Sequence, residues 1–143
     1  MLVRKFKPKD LKEVATIFKD GSNSPPYDEK WTDKSATEKI KEYFKSGIIF
    51  VVEQDNKVVG FVTGFINTYY AGKDGFIKDI FVDPEYQHKG FGKALISEIE
   101  LYFKKQGVNC VNLRSNAKAK VSKFYSKLGF KKGSIMIGWY KDI

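Results

Sequence analysis

The sequence is short of cysteine, of histidine, of acids and of long apolar runs. It has one cysteine, Cys110, and one histidine, His88, in 143 residues. A single cysteine excludes an internal disulfide and suits a reducing compartment. Cys110 lies in the strand-like run VNCVNL and reads as a small buried hydrophobe, not a nucleophile. A single histidine excludes a histidine-rich metal site, and no metal is expected. No apolar run approaches a membrane span. The opening MLVRKFKPKD carries no signal-peptide core, so a cytoplasmic protein without a membrane partner is expected. Acids number 17 against 26 Lys and Arg, for a net charge of +9. That excess points to an anionic partner and leaves open a nucleic acid, a nucleotide cofactor or an acidic protein.

What is present is a globular composition, 42% hydrophobic and 15% aromatic. Its length fits one domain over residues 1–143, large enough to bury a core without staples. LVRKF reads as a first strand. A helix follows over KDLKEVATIFKDG, with Asp10 and Glu13 spaced as a capping box and Gly21 as its stop. After the loop SNSPPYDEKWTDK comes a second helix, with Ser35 and Glu38 as its capping box and Gly47 as its stop. IIFVVEQ and KVVGFVTGFIN flank Asp55-Asn56 and make an antiparallel hairpin. DGFIKDIFVD is a further strand, Gly90–Gln106 a helix, VNCVNLRS a strand and Lys118–Leu128 a fourth helix. FKKGSIMIGWYKD closes as one bent strand or a hairpin. The expected fold is α/β: a mixed, mostly antiparallel central sheet of six to seven strands flanked by four helices.

The chemistry-bearing stretch is DPEYQHKGFGKAL, Asp83 to Leu95. A strand precedes it and a helix follows. Gly90 and Gly92 stand in a basic cluster of His88, Lys89 and Lys93. A dinucleotide fingerprint requires a third glycine where Leu95 stands, and a P-loop requires Ser or Thr where Ala94 stands. What remains is a glycine-bearing turn into a helix, whose free N–H groups and dipole suit an anion such as a diphosphate. Glycines kept for packing explain the same spacing.

Gln87-His88-Lys89-Gly90-Phe91-Gly92-Lys93 resembles the Q/R-x-x-G-x-G/A signature of the GNAT family of N-acetyltransferases. KFYSKLGF, Lys123 to Phe130, resembles the later Tyr-x-x-x-Gly-Phe signature of the same family, and the element order is similar throughout. The resemblance implies acetyl-CoA as cosubstrate, with the amides of His88 to Lys93 on its pyrophosphate. It implies that the main chain of Ile80, Phe81 and Val82 binds the pantetheine arm, on a strand splayed from its neighbour. It implies Tyr125 as the acid beside the cofactor sulfur, although spacing alone makes Tyr125 a core aromatic. Where the family often has an asparagine, this chain has Lys118, with Asn116 two residues earlier, so either is a candidate cofactor contact.

An amine acceptor is protonated at neutral pH, so a base is needed. Asp79, one residue before the pantetheine strand segment, is the first candidate and Glu53 the second; a solvated charge accounts for either. Alternation puts Ile77, Asp79 and Phe81 on one strand face. Tyr27, Trp31, Tyr69 and Tyr70 are candidate acceptor-framing aromatics or loop anchors. Asp28, Glu29, Asp33 and Asp79 are the acids expected near the cleft. The expected activity is transfer of an acetyl group to a primary amine on a small molecule or peptide. Family members are often dimers, which leaves a homodimer open. Two alternatives stand beside this reading. One is a basic nucleic-acid-binding module, supported by charge but by no recognisable binding motif. The other is a catalytically inactive CoA-binding member of the same fold.

Overall fold

The computed structural model describes residues 1–143. The chain runs β1 (Leu2–Lys5), α1 (Leu11–Asn23), α2 (Asp33–Ser46), β2 (Ile48–Gln54), β3 (Lys57–Tyr69), β4 (Gly72–Val82), α3 (Phe91–Lys105), β5 (Val108–Leu113) and α4 (Ser122–Lys127). The strands form one five-stranded sheet in the order β1-β2-β3-β4-β5. β1 to β4 pair antiparallel and β5 joins β4 in parallel, so the sheet is mixed and mostly antiparallel. No helix is long and apolar enough to cross a membrane.

Each face of the sheet has its own core. On one face α1 and α2 bury Val14, Phe18, Ile40 and Tyr43 against Val51, Val58 and Phe61. On the other, α3 buries Leu95, Ile96, Ile99 and Phe103 against Val52, Val59, Val62 and Ile77. β2 and β3 therefore read as near-continuous apolar runs, because helices cover both of their faces. The β2–β3 turn is tight, with Asp55 and Asn56 both at positive φ, as those residue types allow.

Several expectations are corrected. Asp10 and Glu13 do not form a capping box. The Asp10 carboxylate is buried, takes both arms of the Arg4 guanidinium (2.8 and 3.0 Å) and accepts the Lys7 amide at 2.7 Å. Gly21 does not stop α1, which runs on to Asn23; a Cβ there would lie 2.4 Å from the Phe81 ring, so the glycine makes room for that ring. The cap of α2 is Thr32, whose hydroxyl accepts from the Ser35 amide at 3.1 Å, one turn earlier than expected. Residues 130–143 form no strand, so the sheet has five strands and not six or seven. Cys110 is exposed, because β5 is an edge strand with nothing over that residue.

Candidate active site

The site forms where β4 and β5 part. Their pairing runs from Lys73–Val108 to Ile77–Leu113 and stops there. Beyond it, Ile80, Phe81 and Val82 pair only with Val62, Phe61 and Gly60 of β3. Their other edge is therefore open, the splayed geometry expected of a strand that offers main-chain groups to a ligand. A β-bulge helps to produce it. Thr63 faces Asp79 and Gly64 faces Ile77, which leaves Lys78 as the extra residue. The bulge corrects the strand alternation. Ile77, Ile80 and Val82 lie on the α3 face and Phe81 on the α1–α2 face, where Asp79 meets Tyr43 of α2.

A cavity of about 260 Å³ lies in this opening. Tyr27, Glu29, Trp31, Tyr43, Asp79, Ile80, Phe81, Asn116 and Tyr125 are among its walls. The Tyr43 hydroxyl donates to the Asp79 carboxylate. Burial raises the Asp79 pKa above the usual aspartate value, and the Tyr43 hydrogen bond offsets part of that rise. Burial, then the hydrogen bond and charge of Asp79, raise Tyr43 well above an ordinary phenol. Trp31 is fixed by Asn23, which accepts its amide at 2.8 Å and donates to its carbonyl at 2.9 Å; the indole N–H donates to Glu29. Tyr27 packs edge-on against Phe81 at 6.0 Å. Two cations also line the cavity, but each lies over a ring: Lys78 over Phe65 and Arg114 over Phe76, both at 5.9 Å.

Tyr125 comes from the short helix α4, with its ring against Phe124 (5.2 Å) and Phe130 (5.8 Å). Its hydroxyl has no protein partner. Burial, with smaller contributions from Tyr27 and Asp79, pushes its pKa up to about 12, so it carries its proton at neutral pH.

The glycine turn lies at the start of α3. Gly90 caps the helix at φ 88° and His88 sits at φ 59°. The first bond of the helix is Ala94 N–H to Gly90 O at 3.0 Å, which leaves the amides of His88 to Lys93 without partners. Lys89 and Lys93 are exposed beside them. The Gln87 side chain turns back and donates to Val82 O at 2.9 Å, tying the turn to the end of β4. Phe91 points inward and belongs to the core under α3.

Other expected residues fall elsewhere. Glu53 is held by Arg4 in the β1–β2 network, outside the cavity, so it is not placed to act as a base. Tyr69 and Tyr70 are exposed at the β3–β4 turn and do not reach the site. Asp28 is exposed and Asp33 pairs with Lys19; neither lines the cavity. Asn116 lines it, whereas Lys118 does not, and the Lys118 amide donates to Asn116 Oδ1 at 2.8 Å. Tyr43 was missed as a site residue. Its helical spacing marks it as core, and nothing in sequence says that its hydroxyl reaches β4.

The profile of the acetyltransferase (GNAT) family matches residues 16–130. An uncharacterised N-acetyltransferase of Methanocaldococcus jannaschii is 35% identical over 98 residues, 66% of this chain and 43% of that one, so the match spans less than half of that relative. The spermidine N(1)-acetyltransferase of Thermoplasma acidophilum is 28% identical over 144 residues, covering 90% of this chain and 87% of its own. The crystal structure of a possible acetyltransferase from Clostridium difficile has the same fold, with a TM-score of 0.87 at 18% identity over 99% of this chain and 97% of that one. The chain belongs to the acetyltransferase (GNAT) family and is by class an N-acetyltransferase.

Proposed function

We propose that the chain moves an acetyl group from acetyl-CoA to a compact primary amine that enters as its ammonium form. The observation that carries this is the meeting, in one cavity, of the open strand edge at Ile80 and Phe81 with Asp79 and Tyr125. The residues fit the cosubstrate. The unpaired amides of His88 to Lys93, with Lys89 and Lys93, suit a diphosphate at a helix N-terminus. The open β4 edge suits the amide groups of a pantetheine arm. Bound there, acetyl-CoA would supply a thioester: the ammonium first loses one proton to expose its lone pair, the nitrogen then forms the C–N bond to the thioester carbon as the C–S bond breaks, and the second proton leaves nitrogen to turn the thiolate into a thiol.

The chain's own groups handle those charges. Asp79 and Glu29 face the cavity from the aromatic wall and attract a cation there. Asp79 takes the first proton, from the ammonium, and passes it to solvent; its raised pKa makes it a better base than an exposed aspartate. Tyr43 holds the carboxylate in place. Tyr125 donates a hydrogen bond to the developing thiolate. A phenol at about 12 facing a thiol near 8.5 makes full proton transfer uphill by about 5 kcal/mol, so hydrogen-bond donation in a desolvated cleft is its main contribution.

The test is thiol release from acetyl-CoA across a panel of primary amines, with CoA affinity measured in parallel. Turnover with compact amines, lost on Asp79→Asn with CoA binding kept, is the expected result. CoA binding with no turnover on any amine would favour the inactive CoA-binding reading. Tight, steeply salt-dependent DNA binding without CoA binding would favour the basic nucleic-acid module.

A further inference from the structure

The cavity has two poles, and acetyl transfer to an ammonium uses only one of them. Asp79 and Glu29 form the acidic pole. Lys78 and Arg114 line the same cavity, and neither forms an ion pair. The bulge in β4 brings the poles together. In a regular strand, consecutive side chains point to opposite faces. Here Asp79 meets Tyr43 on the α1–α2 face, while its neighbour Lys78 lies over the Phe65 ring at 5.9 Å. Phe65 is on that same face, because a side chain on the preceding Gly64 would meet Ile99 and Phe103 of α3. The extra residue thus sets a cation and an acid side by side.

Arg114 reaches this surface from the end of β5. The ring beneath it at 5.9 Å is Phe76, which alternates with Gly75 and Ile77; both of those face α3. Phe65 and Phe76 stack with centroids 5.5 Å apart and 18° between planes, and both are half-buried. The result is an apolar floor with a cation over each ring. A cation over a ring at an exposed site is held weakly and keeps its hydrogen-bond donors free. Asp74, on the same strand as Phe76, does not claim them: it accepts from the Tyr69 hydroxyl at 3.1 Å and from Asn112 at 3.0 Å. The floor is also offset from the acids. Asp79 faces Thr63 and Phe76 faces Phe65, two residues further along β3, a step of about 7 Å at the usual strand rise.

We propose that the acceptor is an amino acid with its amine and carboxylate about 7 Å apart, the ammonium held at Asp79 and Glu29 and the carboxylate at Lys78 and Arg114. The inference rests on the acetyl-transfer reading and adds a second anchor to it. A guanidinium fork takes a carboxylate through two parallel hydrogen bonds. Phe65 and Phe76 carry the methylene chain between the poles. The cosubstrate leaves these cations free, because its diphosphate turn opens α3 on the opposite face of the sheet. Rejection follows from the same layout. A plain alkylamine leaves Lys78 and Arg114 unpaired. A diamine sets its second ammonium against them. An α-amino acid has its charges too close together to reach both poles.

The test compares kcat/KM for 5-aminopentanoate, pentylamine, pentane-1,5-diamine and glycine at saturating acetyl-CoA. The amino acid with the long spacing should exceed pentylamine by about 10- to 100-fold, the scale of a hydrogen bond to a charged group, and should exceed the diamine and glycine as well. Arg114→Met should bring the ratio of 5-aminopentanoate to pentylamine close to one. Arg114→Glu should turn the preference toward the diamine. Arg114 is exposed, so both variants should melt with the parent, and a direct titration with CoA reports separately on the cosubstrate site. A parent that prefers pentylamine, the diamine or the aminoalkyl phosphate of matching length would overturn the inference and leave acetyl transfer standing. A preference for 5-aminopentanoate that survives Arg114→Glu would do the same. CoA binding with no turnover on any amine would remove the acetyl-transfer reading itself, and this inference with it.

Discussion

At the scale of single residues, Asp79 shows most directly how position sets chemistry. Its carboxyl is raised mainly by burial. A group whose folded pKa exceeds its unfolded one gives its stabilisation below the unfolded value, near 3.8 here, and loses it as the pH rises through the folded value. At neutral pH the charged Asp79 therefore costs stability. Asp79→Asn should raise the melting temperature near pH 7, and the gain should vanish toward pH 4; a gain of equal size at both values would contradict the burial argument. The same change should slow turnover by about 100-fold near neutrality and less at alkaline pH, where the amine sheds its own proton. A pH–rate profile parallel to the parent's would remove Asp79 as the base. Tyr125→Phe keeps the ring against Phe124 and Phe130 and deletes the donor. Turnover should fall by roughly 10- to 100-fold with CoA affinity unchanged, because one hydrogen bond to developing charge is lost; normal turnover with a lowered melting temperature would make Tyr125 a packing residue. Gly90 needs a different experiment from the one its motif suggests. A Cβ there would meet nothing, but φ is 88°, so Gly90→Val strains the backbone whatever the ligand does. Lys93→Glu, on an exposed residue of the same turn, tests the anion site cleanly and should weaken CoA binding about tenfold without changing the melting temperature. Motif spacing singled out Tyr125 and the turn, and strand position singled out Asp79 one residue before Ile80; Asp79 and Tyr125 line one cavity. Neither signal could locate Tyr43 or exclude Glu53, whose partners come from elements far away in the chain.

At the scale of elements, the first strand is fastened by charge as well as by pairing. Arg4 on β1 holds Asp10 at the start of α1 and Glu53 on β2. Asp10 is lowered first by its hydrogen bonds to Arg4, so its contribution to stability is present above the ordinary value of 3.8 and lost as the pH falls through the depressed one. Arg4→Met leaves that buried carboxylate unpaired and should cost roughly 3–5 kcal/mol at neutral pH. The deficit against the parent should shrink in acid, where the stranded carboxyl protonates; urea melts at pH 7 and pH 3 measure both. A loss under 1 kcal/mol at pH 7 would mean that water reaches Asp10. This network also explains where sequence reading failed. Asp10 precedes a helix with an acid three residues on, so it looks like a cap, but the carboxylate has a stronger partner six residues earlier. The elements themselves were legible, because helical and strand periods are local. The bulge at Lys78 was not: nothing in GFIKDIFV announces an extra residue, and the bulge is defined only against Thr63 and Gly64 of β3. The missing sixth strand has the same origin, since its sequence reads as a strand while residues 131–143 pair with no strand of the sheet.

At the scale of the whole molecule, the excess of nine positive charges bears in opposite ways on the two substrates of the proposed reaction. Acetyl-CoA is an anion, and a cationic surface concentrates it before any contact with the turn at His88–Lys93 is made. A protonated amine is repelled over the same distances and attracted only once it is near Glu29 and Asp79. Salt distinguishes long range from short. Exposed charges more than about 10 Å apart are screened at 0.1 M, whereas contacts inside a partly buried cavity are screened much less. Raising the salt from about 0.05 M to about 0.5 M should therefore raise the KM for acetyl-CoA several-fold while the KM for the amine holds or falls. The balance depends on Asp79 and Glu29 keeping their local attraction, so Glu29→Gln should raise the KM of the amine at both salt concentrations and leave that of acetyl-CoA alone. Steady-state kinetics with each substrate varied in turn gives all four values. If both KM values rise together with salt, the amine is drawn in by long-range charge, and the acidic wall of the cavity is not what recognises it.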